Sequence, residues 1–212
     1  MTQPAPASAH SILPLAILEA MRSLDSPSDE EVAEYVDELL KKRLGLSDTV
    51  AAQIGRYGGL VRNDGTVRAE ELEQIFRLVS RRTDAALVFA DGGRRAARRA
   101  QGRMSAAGRW AARYLPRLLR RPIGYRLARR AIVEVFDAAL VREGQDGVAS
   151  VEHDIAVRAT PDGAACAFYA SAFAELLRQL MDFEGSMTHS RCRSRGDARC
   201  EWRTVPSLER AK

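Results

Sequence analysis

The chain has 212 residues, 46% apolar and only 6% aromatic, which leaves room for one domain with an extension or two small domains around an ordinary core. No apolar run approaches the roughly 18 residues of a membrane span. Three cysteines, with no basic-then-apolar leader over residues 1–10, argue for a reducing, cytoplasmic setting and against a disulfide framework. The net charge of +5 hides thirteen arginines and no acid or lysine in residues 92–133; +5 less 13 leaves −8 on the remainder, a pattern that favours an anionic partner.

Residues 1–10 read as a disordered tail and 11–82 as a helical region. A first helix over 11–24 carries Leu13, Leu15, Ile17, Leu18 and Met21 at helical spacing. Pro27 breaks it, and Ser28 with Glu31 forms a capping-box pattern that opens a second helix through Leu40. Gly45 ends that helix, Ser47 caps a third to Tyr57, and Gly58-Gly59 and Asn63-Asp64-Gly65 mark turns. Residues 70–79 form an amphipathic helix on Leu72, Ile75, Phe76 and Val79. A helix over 84–104 is loosened at Gly92-Gly93. Two further helical pieces, 105–115 and 123–140, are separated by Pro116 and Pro122.

After Gly144 the period changes. Val151, His153, Ile155 and Val157 alternate with polar or small residues, the pattern of a half-buried strand. Residues 164–181 return to helical spacing, and 186–192 with 199–205 read as a β-hairpin turning at Gly196-Asp197. The layout is α+β: a helical N-terminal part, then a small antiparallel sheet packed with helices. Residues 83–206 would form the ligand-binding domain, with 207–212 a tail.

Cys166, His189, Cys192 and Cys200 are separated by 23, 3 and 8 positions. Thiolates and an imidazole are the donors that zinc prefers, and a Cys3His set makes a closed structural site. Cys166 opens a helix, where the dipole favours a thiolate, and Cys192 and Cys200 bracket the hairpin turn. A metal there would staple the hairpin to the helix start. Its net −1 would be offset by Arg191, Arg193, Arg195 and Arg199. In a regular strand His189 and Cys192 would face opposite ways, so the ligand set requires a bulge or a strand end between them. Spacing alone leaves two other readings open: buried structural cysteines, or a labile Cys192–Cys200 disulfide.

The stretch from Cys166 to Leu177, followed by Cys192-Arg-Ser-Arg-Gly196-Asp197-Ala-Arg-Cys200-Glu-Trp202, resembles the 4-vinyl reductase domain. In ligand sensors that carry this domain, three cysteines and a carboxylate bind zinc at matching places, with His189 standing here for the carboxylate. Residues 85–96, 114–119 and 126–132 further resemble the stand-alone bacteriochlorophyll 4-vinyl reductases. The resemblance implies a fold shared with vesicle-tethering and haem-sensing domains, a hydrophobic cavity between helices and sheet, and a role in bacteriochlorophyll synthesis. No GxGxxG or flavin signature supplies a hydride, and no four-cysteine set is left for an iron–sulfur cluster. The sequence therefore reads as a tetrapyrrole carrier rather than a reductase, with Mg-porphyrin or a relative as ligand. Magnesium chelatase or methyltransferase subunits would be its partners, and a homodimer is open as well. The alternatives are a small-molecule sensor and a true vinyl reductase with an external donor.

For the ligand itself, Arg113 and Arg117 in the basic segment suit propionates, and Trp110, Tyr114 and Phe136 offer stacking faces. His153, on the apolar side of its strand, could ligate a central metal or be a satisfied core histidine. Trp110 and Tyr114 among arginines also suit a peripheral contact with a membrane surface. The first three helices faintly suggest a winged helix-turn-helix. However, 47–57 carries Arg56 as its single basic residue, so nucleic acid is not the expected partner.

Overall fold

In the computed structural model, residues 8–25, 46–114, 116–143 and 146–207 are described. The expected second helix, 28–40, lies outside them. Of the expected tail over 1–10, the described residues 8–10 form a strand, β1 (Ser8–His10), which pairs antiparallel with β2 (Thr66–Arg68). Helix α1 (Ile12–Asp25) follows and is buried nearly all round, from Ile12 to Met21. Such a helix is a central core element rather than an amphipathic surface one. Helix α2 (Leu46–Arg62) runs straight through Gly58-Gly59, so those glycines mark no turn. The turn comes at Asp64, left-handed at φ 56°, where the Gly65 carbonyl accepts from the Ser11 hydroxyl at 2.7 Å.

Helix α3 (Ala69–Ser80) buries Leu72, Phe76 and Val79 on one face, as its period predicts. Helix α4 (Ala85–Gly102) is continuous, and Gly92-Gly93 does not loosen it. The two glycines serve helix crossing instead. A Cβ on Gly92 would sit 3.2 Å from Ile17 Cα, and one on Gly93 would sit 2.2 Å from the Phe168 carbonyl oxygen. With Ala96, Ala97 and Ala100 they make a flat, buried stripe against which α1 and α8 (Cys166–Met181) close.

Helix α5 (Ala106–Tyr114) precedes α6 (Arg117–Phe136), which starts before Pro122 rather than after it and carries that proline inside. Asp137, left-handed at φ 48°, ends α6, so residues 138–140 are not helical. They open β3 (Ala138–Glu143), which pairs with β4 (Asp146–Val151). The expected strand over 151–157 is corrected likewise: β4 ends at Val151, and α7 (Ile155–Ala159) takes the rest. After α8 come β5 (Gly185–Arg191) and β6 (Cys200–Pro206), giving a four-stranded antiparallel sheet in the order β3-β4-β6-β5. The fold is α+β, as its sequence pattern implies.

One core holds residues from both sides of position 82, from Ile12 through Leu72 to Trp202. Its centre is aromatic. Phe76, Phe89, Phe136, Phe168, Tyr169 and Phe173 join Trp202 in edge-on and tilted contacts with centroids 5.4–6.4 Å apart. Trp202 on β6 meets Tyr169 and Phe173 of α8, which docks the hairpin on the helix. Among the described residues no helix is long and apolar enough to cross a membrane.

Candidate metal centre

The donor atoms of Cys166, His189, Cys192 and Cys200 all lie within 4.8 Å of one another, although the four residues come from three separate segments. Each segment is shaped locally to bring its donor in. Cys166 begins α8 after a tight turn in which the Gly163 N–H donates to the Thr160 carbonyl and the Cys166 N–H to the Gly163 carbonyl. Gly163 has φ +80°, and a Cβ there would lie 3.0 Å from Ser194 Oγ and 3.3 Å from Cys192 Sγ. Only glycine meets both demands, left-handed backbone and a sulfur at van der Waals contact.

On the hairpin, the register of β5 against β6 shifts between His189 and Arg191. This is the bulge that the three-residue spacing demands, and it turns the imidazole and the Cys192 sulfur to the same side. A short 3-10 turn, Arg193–Arg195, then returns the chain through Gly196 at φ +92°. Asp197 clamps this loop: its carboxylate accepts from the Cys192 N–H at 2.7 Å, and its own N–H donates to the Cys192 carbonyl.

Cys192 Sγ and Cys200 Sγ are 4.0 Å apart. A tetrahedral zinc with Zn–S of about 2.3 Å sets its sulfurs about 3.8 Å apart, so this pair is already near the spacing that one ion requires. The cysteines are free and buried, and 4.0 Å is far beyond a disulfide bond. His189 Nε2 is buried with no hydrogen-bond partner among the described residues, while its ring stacks on Trp202 at 4.8 Å and 9°. An imidazole and three thiols with converging donor atoms form a donor set that fits a metal ion.

The cluster is prepared for negative charge. A hydrogen bond from Cys166, with further help from His189 and the Arg193 N–H, holds the Cys200 thiol below its ordinary range against the cost of its burial. Cys166 is pushed up by that same contact and by its own burial. The arginines expected to offset the site are largely committed elsewhere. Arg191 and Arg199 reach the buried Glu201, and the Arg193 guanidinium donates to the Glu152 carbonyl at 2.6 Å. The Arg193 N–H toward Cys200 and the Ser194 hydroxyl, 2.9 Å from Cys192 Sγ, are polar groups that reach the sulfurs. Asp197 and Gly163 were not singled out as contributors in the sequence; a glycine three positions before Cys166 is a signal that could have revealed one of them.

The expected ligand residues fall in two places. Phe136 and His153 line a cavity of about 170 Å³ beside Tyr169 and the end of α6. His153 is not on a strand but in the bend before α7. Its Nε2 lies 3.4 Å from the Phe136 carbonyl, its Nδ1 has no partner among the described residues, and burial lowers its pKa so that it is neutral. Trp110 and Tyr114 lie instead on α5, exposed, with rings 6.0 Å apart, and neither lines that cavity. Arg113 and Arg117 belong to α5 and α6, but their side chains lie outside the described residues. A second cavity, about 300 Å³, opens at the far end of α8 from the cysteines. Comparison with family models, curated proteins and solved structures finds no match.

Proposed function

We propose that this chain is an accessory binding protein in which a structural zinc ion, held by Cys166, His189, Cys192 and Cys200, staples the hairpin to α8. Its cargo is a tetrapyrrole intermediate of bacteriochlorophyll synthesis, passed between the enzymes that make and use it. The observation that carries the non-catalytic part is the donor set itself. Four protein donors converge within 4.8 Å, which fills a tetrahedral ion and leaves no position for substrate. The tetrapyrrole rests on the resemblance of residues 166–202 and on the acid-free basic segment, which suits a ligand bearing propionates. Chelatase or methyltransferase subunits are the partners such a carrier would serve.

A peripheral membrane contact belongs to the same reading. The exposed Trp110–Tyr114 pair lies in an arginine-rich stretch, and amphipathic rings beside cations suit an anionic lipid surface. Titration of the purified protein with Mg-protoporphyrin, followed at the Soret band, tests the cargo. A saturable shift at micromolar ligand is expected. No shift sinks the carrier reading, and a vinyl-group spectral change on adding reductant would replace it with a reductase.

A further inference from the structure

The second cavity lies between α6, the Arg142–Gly147 end of the β3–β4 hairpin and the C-terminus of α8, well away from the cysteine cluster at that helix's start. Its walls are apolar: Tyr125, Leu140, Leu177, Met181 and Phe183. Two guanidinium groups, Arg121 and Arg142, line it as well, and both residues are exposed. Neither has an ion-pair partner among the described residues, because the nearby acids are engaged. Asp182 pairs with Arg120 at 2.7 Å and Glu143 with Arg203 at 2.7 Å, and Glu184, the remaining carboxylate of the lining, is exposed and has an interaction of its own. Arg142 is also held in place. Its guanidinium sits 5.0 Å over the Tyr125 ring, and the Tyr125 hydroxyl donates to the Leu140 carbonyl at 3.2 Å.

We infer that this cavity is a binding site for an anionic amphipathic ligand, an apolar body in the pocket with its carboxylate on Arg121 and Arg142. Two exposed arginines with no ion-pair partner among the described residues stand beside an apolar hollow, and the planar guanidinium pairs with carboxylate through two parallel hydrogen bonds. Because Arg142 is already stacked, little ordering remains to be done on binding. At about 300 Å³ the cavity is at the small end of ligand pockets, so it takes a small aromatic acid whole or one acid-bearing edge of a larger ring. The second case rests on the carrier reading and places the propionate edge of the tetrapyrrole here, not at Arg113 and Arg117.

The test compares 2-naphthoate with its methyl ester by calorimetry, on the wild-type chain and on Arg121→Gln, Arg142→Gln and the double variant. Melting temperature and metal content are recorded to show that each variant is folded. The acid should bind at least about tenfold more tightly than the ester, and each single variant should weaken the acid by about tenfold, the lower end for a charge-assisted hydrogen bond. The double variant should bind acid and ester alike. Equal binding of acid and ester by the wild type, no binding of the acid, or unchanged binding in the double variant overturns the inference. The same proteins titrated with Mg-protoporphyrin separate the site from the carrier reading. A Soret shift that persists undiminished in the double variant overturns the placement of the propionate edge here and spares the carrier. Arginine-dependent naphthoate binding without a Soret shift does the reverse.

Discussion

Replacing Gly163 with alanine strikes the candidate metal centre without replacing one of its four donor residues. Two separate effects follow from its geometry. The residue has φ +80°, where a Cβ costs about 1–2 kcal/mol. The added carbon would also meet Ser194 Oγ at 3.0 Å and Cys192 Sγ at 3.3 Å. The serine hydroxyl can rotate away, but the sulfur must retreat by a few tenths of an ångström, more than the roughly 0.2 Å a metal–ligand distance tolerates. Gly196→Ala provides the control. Its φ is +92° and its Cβ would meet nothing within 4 Å, so it carries the backbone cost alone. Both variants should melt about 2–8 °C below wild type for a chain of this size. Only Gly163→Ala should also lose zinc affinity, by about tenfold or more, in competition against a chromophoric chelator. If the two variants bind zinc equally, or Gly163→Ala melts with the wild type, the close packing of turn and sulfur does not matter.

Three further outcomes follow. Trp202→Ala removes a side chain that is 1% exposed and stacks on His189, so it should cost about 3–5 kcal/mol in chemical denaturation and weaken metal binding; an undiminished midpoint would contradict the docking role. Gly93→Ala places a Cβ 2.2 Å from the Phe168 carbonyl, so α4 and α8 must separate, and unfolding free energy should drop by about 1–3 kcal/mol without loss of metal. Burial lowers the pKa of His153, and burial with the Arg103 charge lowers that of His10. The unfolded chain then binds more protons below its ordinary value of 6.5. Stability is complete above that pH and declines beneath it, by up to about 1.4 kcal/mol per pH unit for each imidazole. Denaturation at pH 7.5, 6 and 5 should show a shallower slope for His153→Gln than for wild type, and equal slopes would refute the assignment.

How far the structure is legible in the sequence depends on whether a signal is local. Helical period placed α3 and α8 within a residue or two, because their apolar faces meet one core directly. The cysteine and histidine spacings name the four residues that the fold brings together and require the bulge that lies between His189 and Arg191. Signals with two physical meanings misled. Gly92-Gly93 reads as a loosened helix, but the missing side chains serve a helix crossing that only the packing partner reveals. Alternation through Val151, His153 and Ile155 imitates a strand, while the chain turns at His153 into α7. Strand β3 was hidden because its apolar residues extend the period of α6, and the break rests on a left-handed Asp137 rather than a glycine. Arg121 and Arg142 lie on either side of that break, so the cavity they share has no signature in the linear order.

The central claim is that one zinc ion joins the start of α8 to the hairpin. Elemental analysis of the purified chain beside Cys192→Ser tests it most directly. About one zinc per wild-type chain, and little or none in the variant, is the result the account predicts. A wild-type chain free of metal, or a variant that keeps its zinc, would contradict it.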